Sequence, residues 1–138
     1  MSFREKSAWA MAVLLGAAGL YYLYIVRAAS AATGETAPPQ IAILFVLLVV
    51  IGAVVVQTVL AVSSPKAAGA PADERERIAG DRAGHWSGLL LATGVVCALG
   101  HYMAYGDGNA LFHLVAGSLI LAQIVEYGLE IFLLRRSF

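Results

Sequence analysis

Four long apolar stretches separated by short polar breaks set the pattern of this chain. They run over about Ser7–Val26, Gln40–Val62, Gly84–Tyr105 and Ala110–Leu134. A helix rises about 1.5 Å per residue and a bilayer's hydrocarbon core is about 30 Å thick, so roughly 20 apolar residues cross it. Each stretch meets that length. Within hydrocarbon, a helix satisfies every backbone N–H and C=O inside its own segment. The pattern therefore predicts an all-α membrane protein: an antiparallel four-helix transmembrane bundle, with residues 1–138 forming one integral membrane domain.

The breaks carry matching signals. Pro38-Pro39 opens the second stretch, where proline is tolerated in a first turn, and Ser63-Ser64-Pro65 closes it. Gly69-Ala70-Pro71 interrupts the connection over residues 63–83. Gly106-Asp107-Gly108-Asn109 reads as a tight turn, with Asp107 or Asn109 as N-cap of the fourth helix. Arg4, Lys6 and the small residues Ala28–Ala32 give the first stretch some likeness to a secretory signal. Its apolar run exceeds the roughly 7–15 residues of such a segment, so we read it as a retained anchor.

Asp73-Glu74-Arg75-Glu76-Arg77 reads as a helix start from about residue 72, because acids are favoured at the positive end of the macrodipole. Asp73/Arg77 and Arg77/Asp81 are spaced to pair at i,i+4. This helix is expected to run unbroken into the third span. It would project about two turns as a stalk, either a solvated extension or a docking surface for a partner.

Charge orients the chain. Of nine Lys/Arg residues, eight fall on one side: Arg4, Lys6, Lys66, Arg75, Arg77, Arg82, Arg135 and Arg136, with Arg27 alone on the other. The positive-inside rule then places both termini and residues 63–83 in the cytoplasm. Tyr21, Tyr22, Tyr24, Tyr102 and Tyr105 are expected as an outer aromatic belt, and Trp9 and Trp86 mark the inner interface. Hydrophobic residues make up 60% of the chain and charged ones 13%, almost wholly outside the spans, so the lipid bilayer is the first partner. A net charge of zero gives no reason to expect a nucleic-acid partner. Cys97, the only cysteine, rules out an intramolecular disulfide and a C-x-x-C motif, and reads as small apolar packing.

The Asp-Glu-Arg cluster ahead of the third span, together with the opening Phe3-Arg4-Glu5-Lys6-Ser7-Ala8-Trp9, resembles small prokaryotic multi-span membrane families of unknown function. The likeness covers Asp73 to the C-terminus and that opening segment. It implies a bacterial inner (plasma) membrane location, and no reaction or cofactor.

Chemistry concentrates on the fourth helix. Asn109, His113, Ala116, Ile120, Gln123, Tyr127 and Glu130 recur at four and three residues and form one face, flanked by Gly117 and Glu126. Such polar groups should face the bundle interior or a wet cavity, since an unpaired carboxylate in hydrocarbon is costly. Counting outward from Asp107 sets His101 level with His113, and His85 near Glu126 and Glu130. Two clusters follow: Gln57, His85, Gln123, Glu126 and Glu130 in the inner leaflet, and His101 with His113 in the outer. Three readings stay open. The groups can bond one another and fix helix register. They can line a conduction path with Glu126 titrating. Or His101 and His113 can ligate haem or a metal, although two imidazoles are too few for a closed zinc site. Gly84, Gly88 and Ala92 form a small-residue face suited to bundle packing or to a homo-oligomer.

The chain lacks G-x-S-x-G, H-E-x-x-H, P-loop and C-x-x-C-H motifs. The expected role is thus a non-enzymatic accessory or regulatory subunit with a membrane or cytoplasmic protein partner, acting through helix packing and the stalk Asp73, Glu74, Arg75, Glu76 and Arg77. The alternatives are a small oligomeric channel or transporter using Glu126, and a haem or metal protein using the histidine pair; otherwise no cofactor is expected.

Overall fold

The computed structural model describes residues 2–136. The elements are α1 (Phe3–Thr33), α2 (Gln40–Ser63), α3 (Pro65–Ala68), α4 (Glu74–Tyr105) and α5 (Gly108–Arg136), with no strand among the described residues. All but the single-turn α3 are long and apolar enough to cross a membrane.

Local chemistry explains the boundaries. Ser2 caps α1 by accepting from the Glu5 N–H at 3.2 Å, and Asp73 caps α4 by accepting from the Glu76 N–H at 2.9 Å. Because Asp73 is turned onto the helix end, Arg77 pairs with Glu74 at 2.9 Å, not with Asp73 or Asp81 as its spacing suggested. α4 then runs unbroken to Tyr105. α1 outlasts its apolar stretch: at 31 residues it is about 46 Å long by helical rise. The alanine-rich segment after Arg27 holds no helix breaker before Gly34. Gly34 and Gly106 end α1 and α4 at φ 71 and 68, and their N–H groups bond Ser30 and Tyr102 carbonyls at 2.9 and 2.7 Å. Only a residue without Cβ takes that left-handed conformation at no steric cost.

α5 is the hub. It packs on α4 and α1 and touches α2; α1 also packs on α2, while α4 leans chiefly on α5. The core between α1, α2 and α5 holds Tyr22, Ala42, Phe45, Ala116 and Ile120. α4 buries only small side chains: Ala79, Ala83, Ser87 and Ala98. It approaches α5 closely at Gly94, where an added Cβ would stand 2.7 Å from the Ser118 Cβ. Helices associate in lipid by such close backbone approach. The anticipated Gly84–Gly88–Ala92 face makes no such approach: Gly88 and Ala92 are exposed, and a Cβ at Gly84 would meet only Glu126 Oε1, at 4.0 Å. The buried line on α4 passes through Ser87, and one residue further along a helix turns the face by about 100°.

The outer surface is strongly apolar. Leu44, Leu48 and Ile51 on α2 are 67%, 66% and 64% exposed, and Met103 on α4 is 87% exposed. Leaving such a side chain in water forgoes about 1.5–3 kcal/mol each. Hydrocarbon removes that cost, and the fold is that of a multi-pass membrane protein.

Candidate functional site

The polar side chains inside the apolar stretches meet one another across helix interfaces. On the α4–α5 interface, Ser87 is buried, and its hydroxyl lies 3.0 Å from Glu126 Oε2 and 3.1 Å from the Gly84 carbonyl. Its single proton serves one of these acceptors at a time. Gln123 Nε2 donates to the same carboxylate oxygen at 3.1 Å. The other oxygen faces Gly84, where a Cβ would stand 4.0 Å from Oε1, an ordinary contact. Glu126 is thus met by two neutral donors, one from each helix.

Glu130 lies one turn along α5, with Arg4, Glu126 and Glu76 as the charged groups acting on it. Neither Arg4 nor Arg135 is ion-paired with it. Arg4 pairs with Glu76 at 3.7 Å and Arg135 with Glu5 at 3.0 Å. Arg135 also lies over the Trp9 ring, 5.4 Å from its centroid, a favourable cation–π placement. These contacts gather the first turns of α1 and α4 and the last turn of α5 at one end.

Two members of the expected inner cluster lie elsewhere. Gln57 accepts from the Ser7 hydroxyl at 2.9 Å and links α2 to α1. His85 is exposed and sits edge-on to Trp86. The structure therefore joins Gln123 and Glu126, sets Glu130 beside them, and separates Gln57 and His85.

At the other end, His101 and His113 take different partners. His113 Nε2 meets the Ala37 carbonyl at 2.8 Å, and Nδ1 meets the Tyr22 hydroxyl. A carbonyl only accepts, so Nε2 carries the proton and Nδ1 accepts from Tyr22. Tyr22 is buried against Phe45, with ring centroids 4.7 Å apart, so it does not belong to the exposed belt formed by Tyr21 and Tyr24. His101 stacks on Tyr105 with centroids 4.7 Å apart, and its Nδ1 is buried without a hydrogen-bond partner among the described residues. Equal depth did not make a pair, because the two side chains leave their helices in different directions. As a haem or metal pair they fit poorly, since the lone pair His113 would offer is already taken by Tyr22. Among the described residues no group of three His, Cys, Asp or Glu is placed to hold a metal.

Asp107 ties the two loops at this end. Its Oδ1 accepts from the Ala110 N–H at 3.1 Å, capping α5, and its Oδ2 accepts from the Thr36 hydroxyl. The Thr36 hydroxyl, then the Ala110 N–H, hold its carboxyl below the usual carboxylate range.

Sequence reasoning missed Ser7, Tyr22, Thr36 and Ser87. For Tyr22 a signal existed: Ala8, Met11, Leu15 and Tyr22 are the buried residues of α1 and recur at helical spacing, which sets Tyr22 on the inner face and Tyr21 off it. No protein-family model, curated protein or solved structure matches this chain.

Proposed function

We propose that this is an inner-membrane protein with four antiparallel spans, its termini and residues 63–83 cytoplasmic, acting as a non-enzymatic accessory or regulatory subunit. The contacts Arg4–Glu76 and Arg135–Glu5 support the topology, because they draw the basic ends together on one side. One observation carries the functional reading. The embedded polar groups engage each other, one pair per main interface: Ser7–Gln57 for α1–α2, Tyr22–His113 for α1–α5, and Ser87–Glu126 for α4–α5. Such bonds contribute about 0.6 kcal/mol on average in membranes. That is enough to bias register where the packed side chains are small. Groups used this way position helices; they need not face a passage or a substrate.

The partner contact falls to the stalk. Asp73 is used as a cap and Glu76 is held by Arg4, which leaves the Glu74–Arg77 pair exposed on its surface. Native mass spectrometry of the protein released gently from its own membrane tests this. A complex with a second protein, lost in the Arg75→Glu/Arg77→Glu variant, is the expected result. A bare chain or homo-oligomer from the wild type contradicts the accessory reading.

A further inference from the structure

Midway through the membrane, α1, α2 and α5 leave a recess of about 220 Å³ between them. α2 packs mainly on α1 and only touches α5, so the helices part there. Met11, Leu15 and Ile120 form its buried floor, and Val50, Leu119 and Gln123 its exposed rim. Every lining side chain but Gln123 is apolar. Leu15, Val50 and Gln123 each stand within two residues of the middle of their apolar stretches. The recess therefore lies near the bilayer midplane, about 15 Å from either headgroup layer.

Gln123 is only half engaged. A carboxamide carries two N–H donors and an acceptor oxygen. One N–H goes to Glu126 Oε2 at 3.1 Å, and neither the second N–H nor Oε1 is bonded among the described residues. From this depth the side chain is too short to snorkel to water. Lipid tails offer it no partner, and a polar group left unpaired in hydrocarbon is costly.

The occupant must therefore bring a hydrogen-bonding group to the midplane on an apolar body. Phospholipids, fatty acids and sterols hold their polar groups at the headgroup layer. An isoprenoid quinone is uncharged, and its ring enters the hydrocarbon. Its carbonyls accept from an N–H, and the hydroxyls of its reduced form donate to a carboxamide oxygen. A cavity of about 150 Å³ holds a benzene ring, so the recess has room for a substituted one. The tail can leave past Val50 and Leu119, over exposed apolar surface.

We infer that this recess binds the ring of a lipid-soluble quinone or quinol, with Gln123 as its hydrogen-bond partner. The inference rests on membrane insertion alone, not on the accessory role.

The test is binding of decylubiquinone to the purified full chain in neutral detergent, read by native mass spectrometry and thermal melting. Decylbenzene serves as the matching probe without oxygen. Wild type should hold the quinone roughly three- to twentyfold more tightly than decylbenzene, the range set by one such bond in a membrane. Gln123→Leu should erase that difference, and Leu44→Phe, on the exposed face of α2, should keep it. Gln123→Leu also removes a donor from Glu126. Ala53→Leu is the second variant: it fills the recess, leaves the Gln123–Glu126 contact in place, and should weaken quinone binding. If Gln123→Leu fails to fold, Ala53→Leu decides. Equal binding of both probes by wild type, or undiminished quinone binding in either recess variant, overturns the proposal. So does displacement of the quinone by phosphatidylglycerol at equal concentration, which would mark an acyl-chain groove. A homodimer lost in Gln123→Leu overturns it too, because a second copy would then cover the carboxamide.

Discussion

Replacing Gly94 with alanine should loosen α4 from α5. The new Cβ would stand 2.7 Å from the Ser118 Cβ and closer still to its hydroxyl. Carbon atoms rest at about 3.5–4.0 Å, so the contact is short by roughly 1 Å. Rotating Ser118 away does not help, because its Cβ stays in place; its hydroxyl is in any case held by the Leu114 carbonyl at 2.8 Å. Overpacking of this kind costs about 1–3 kcal/mol. Alanine returns about 1 kcal/mol of helix propensity, so the net loss should be about 0–2 kcal/mol. Ser118→Gly in the same chain should restore stability, since the remaining Ser118 Cα would lie an ordinary 3.8 Å away. Ser118→Ala should not restore it. Gly88→Ala is the control: a Cβ there meets nothing within 4 Å among the described residues, and stability should hold or rise by up to about 1 kcal/mol. Unfolding by sodium dodecyl sulfate in mixed micelles, followed by the fluorescence of Trp9 and Trp86, reads all of these. The packing argument fails if Gly94→Ala is as stable as Gly88→Ala, or if Ser118→Ala rescues as well as Ser118→Gly.

Three further outcomes follow. Tyr22→Phe should cost about 0.6 and at most about 1.7 kcal/mol, and a double-mutant cycle with His113→Gln should show coupling; a coupling of zero would mean the two side chains do not meet in the membrane. The Asp107 carboxyl is held below its ordinary value of 3.8 by Thr36 and the Ala110 amide, so its loop clamp stabilises the fold above that value and is lost as pH falls through the lower, folded one. Acid unfolding should therefore begin at a higher pH in Thr36→Val than in wild type, and coincident acid transitions would refute the clamp. In a Cys97→Ser background, Glu35→Cys should react with a membrane-impermeant maleimide in intact cells and Lys66→Cys only after permeabilisation; the reverse pattern would invert the topology.

The spans were legible because hydrophobicity over some 20 residues is a coarse signal that one misjudged residue cannot destroy. Gln40–Val62 was expected and α2 ends at Ser63. α1 was underestimated because apolarity stops near Val26 while helix formation goes on until Gly34. Side-chain pairing was less legible. Counting from Asp107 sets depth, but which residues meet depends on rotation, and each residue turns a helix by about 100°. That is why Gln123 meets Glu126 along the same helix, while His85 turned outward, His101 found Tyr105 and Gln57 found Ser7. Serine and threonine partners were the hardest to foresee. Their hydroxyls often bond their own helix backbone, as Thr58 and Thr93 do, so sequence alone does not single out Ser87.

The account turns on whether Glu126 holds helices together or carries protons. Proton flux should be measured in liposomes containing purified wild type or Glu126→Gln, with a pH-sensitive dye inside and a potassium diffusion potential as driving force. Wild type is predicted to leak no faster than protein-free liposomes, and Glu126→Gln to behave the same. A flux above background that disappears in Glu126→Gln would contradict the account and make the Ser87–Glu126–Gln123 contact part of a conduction path.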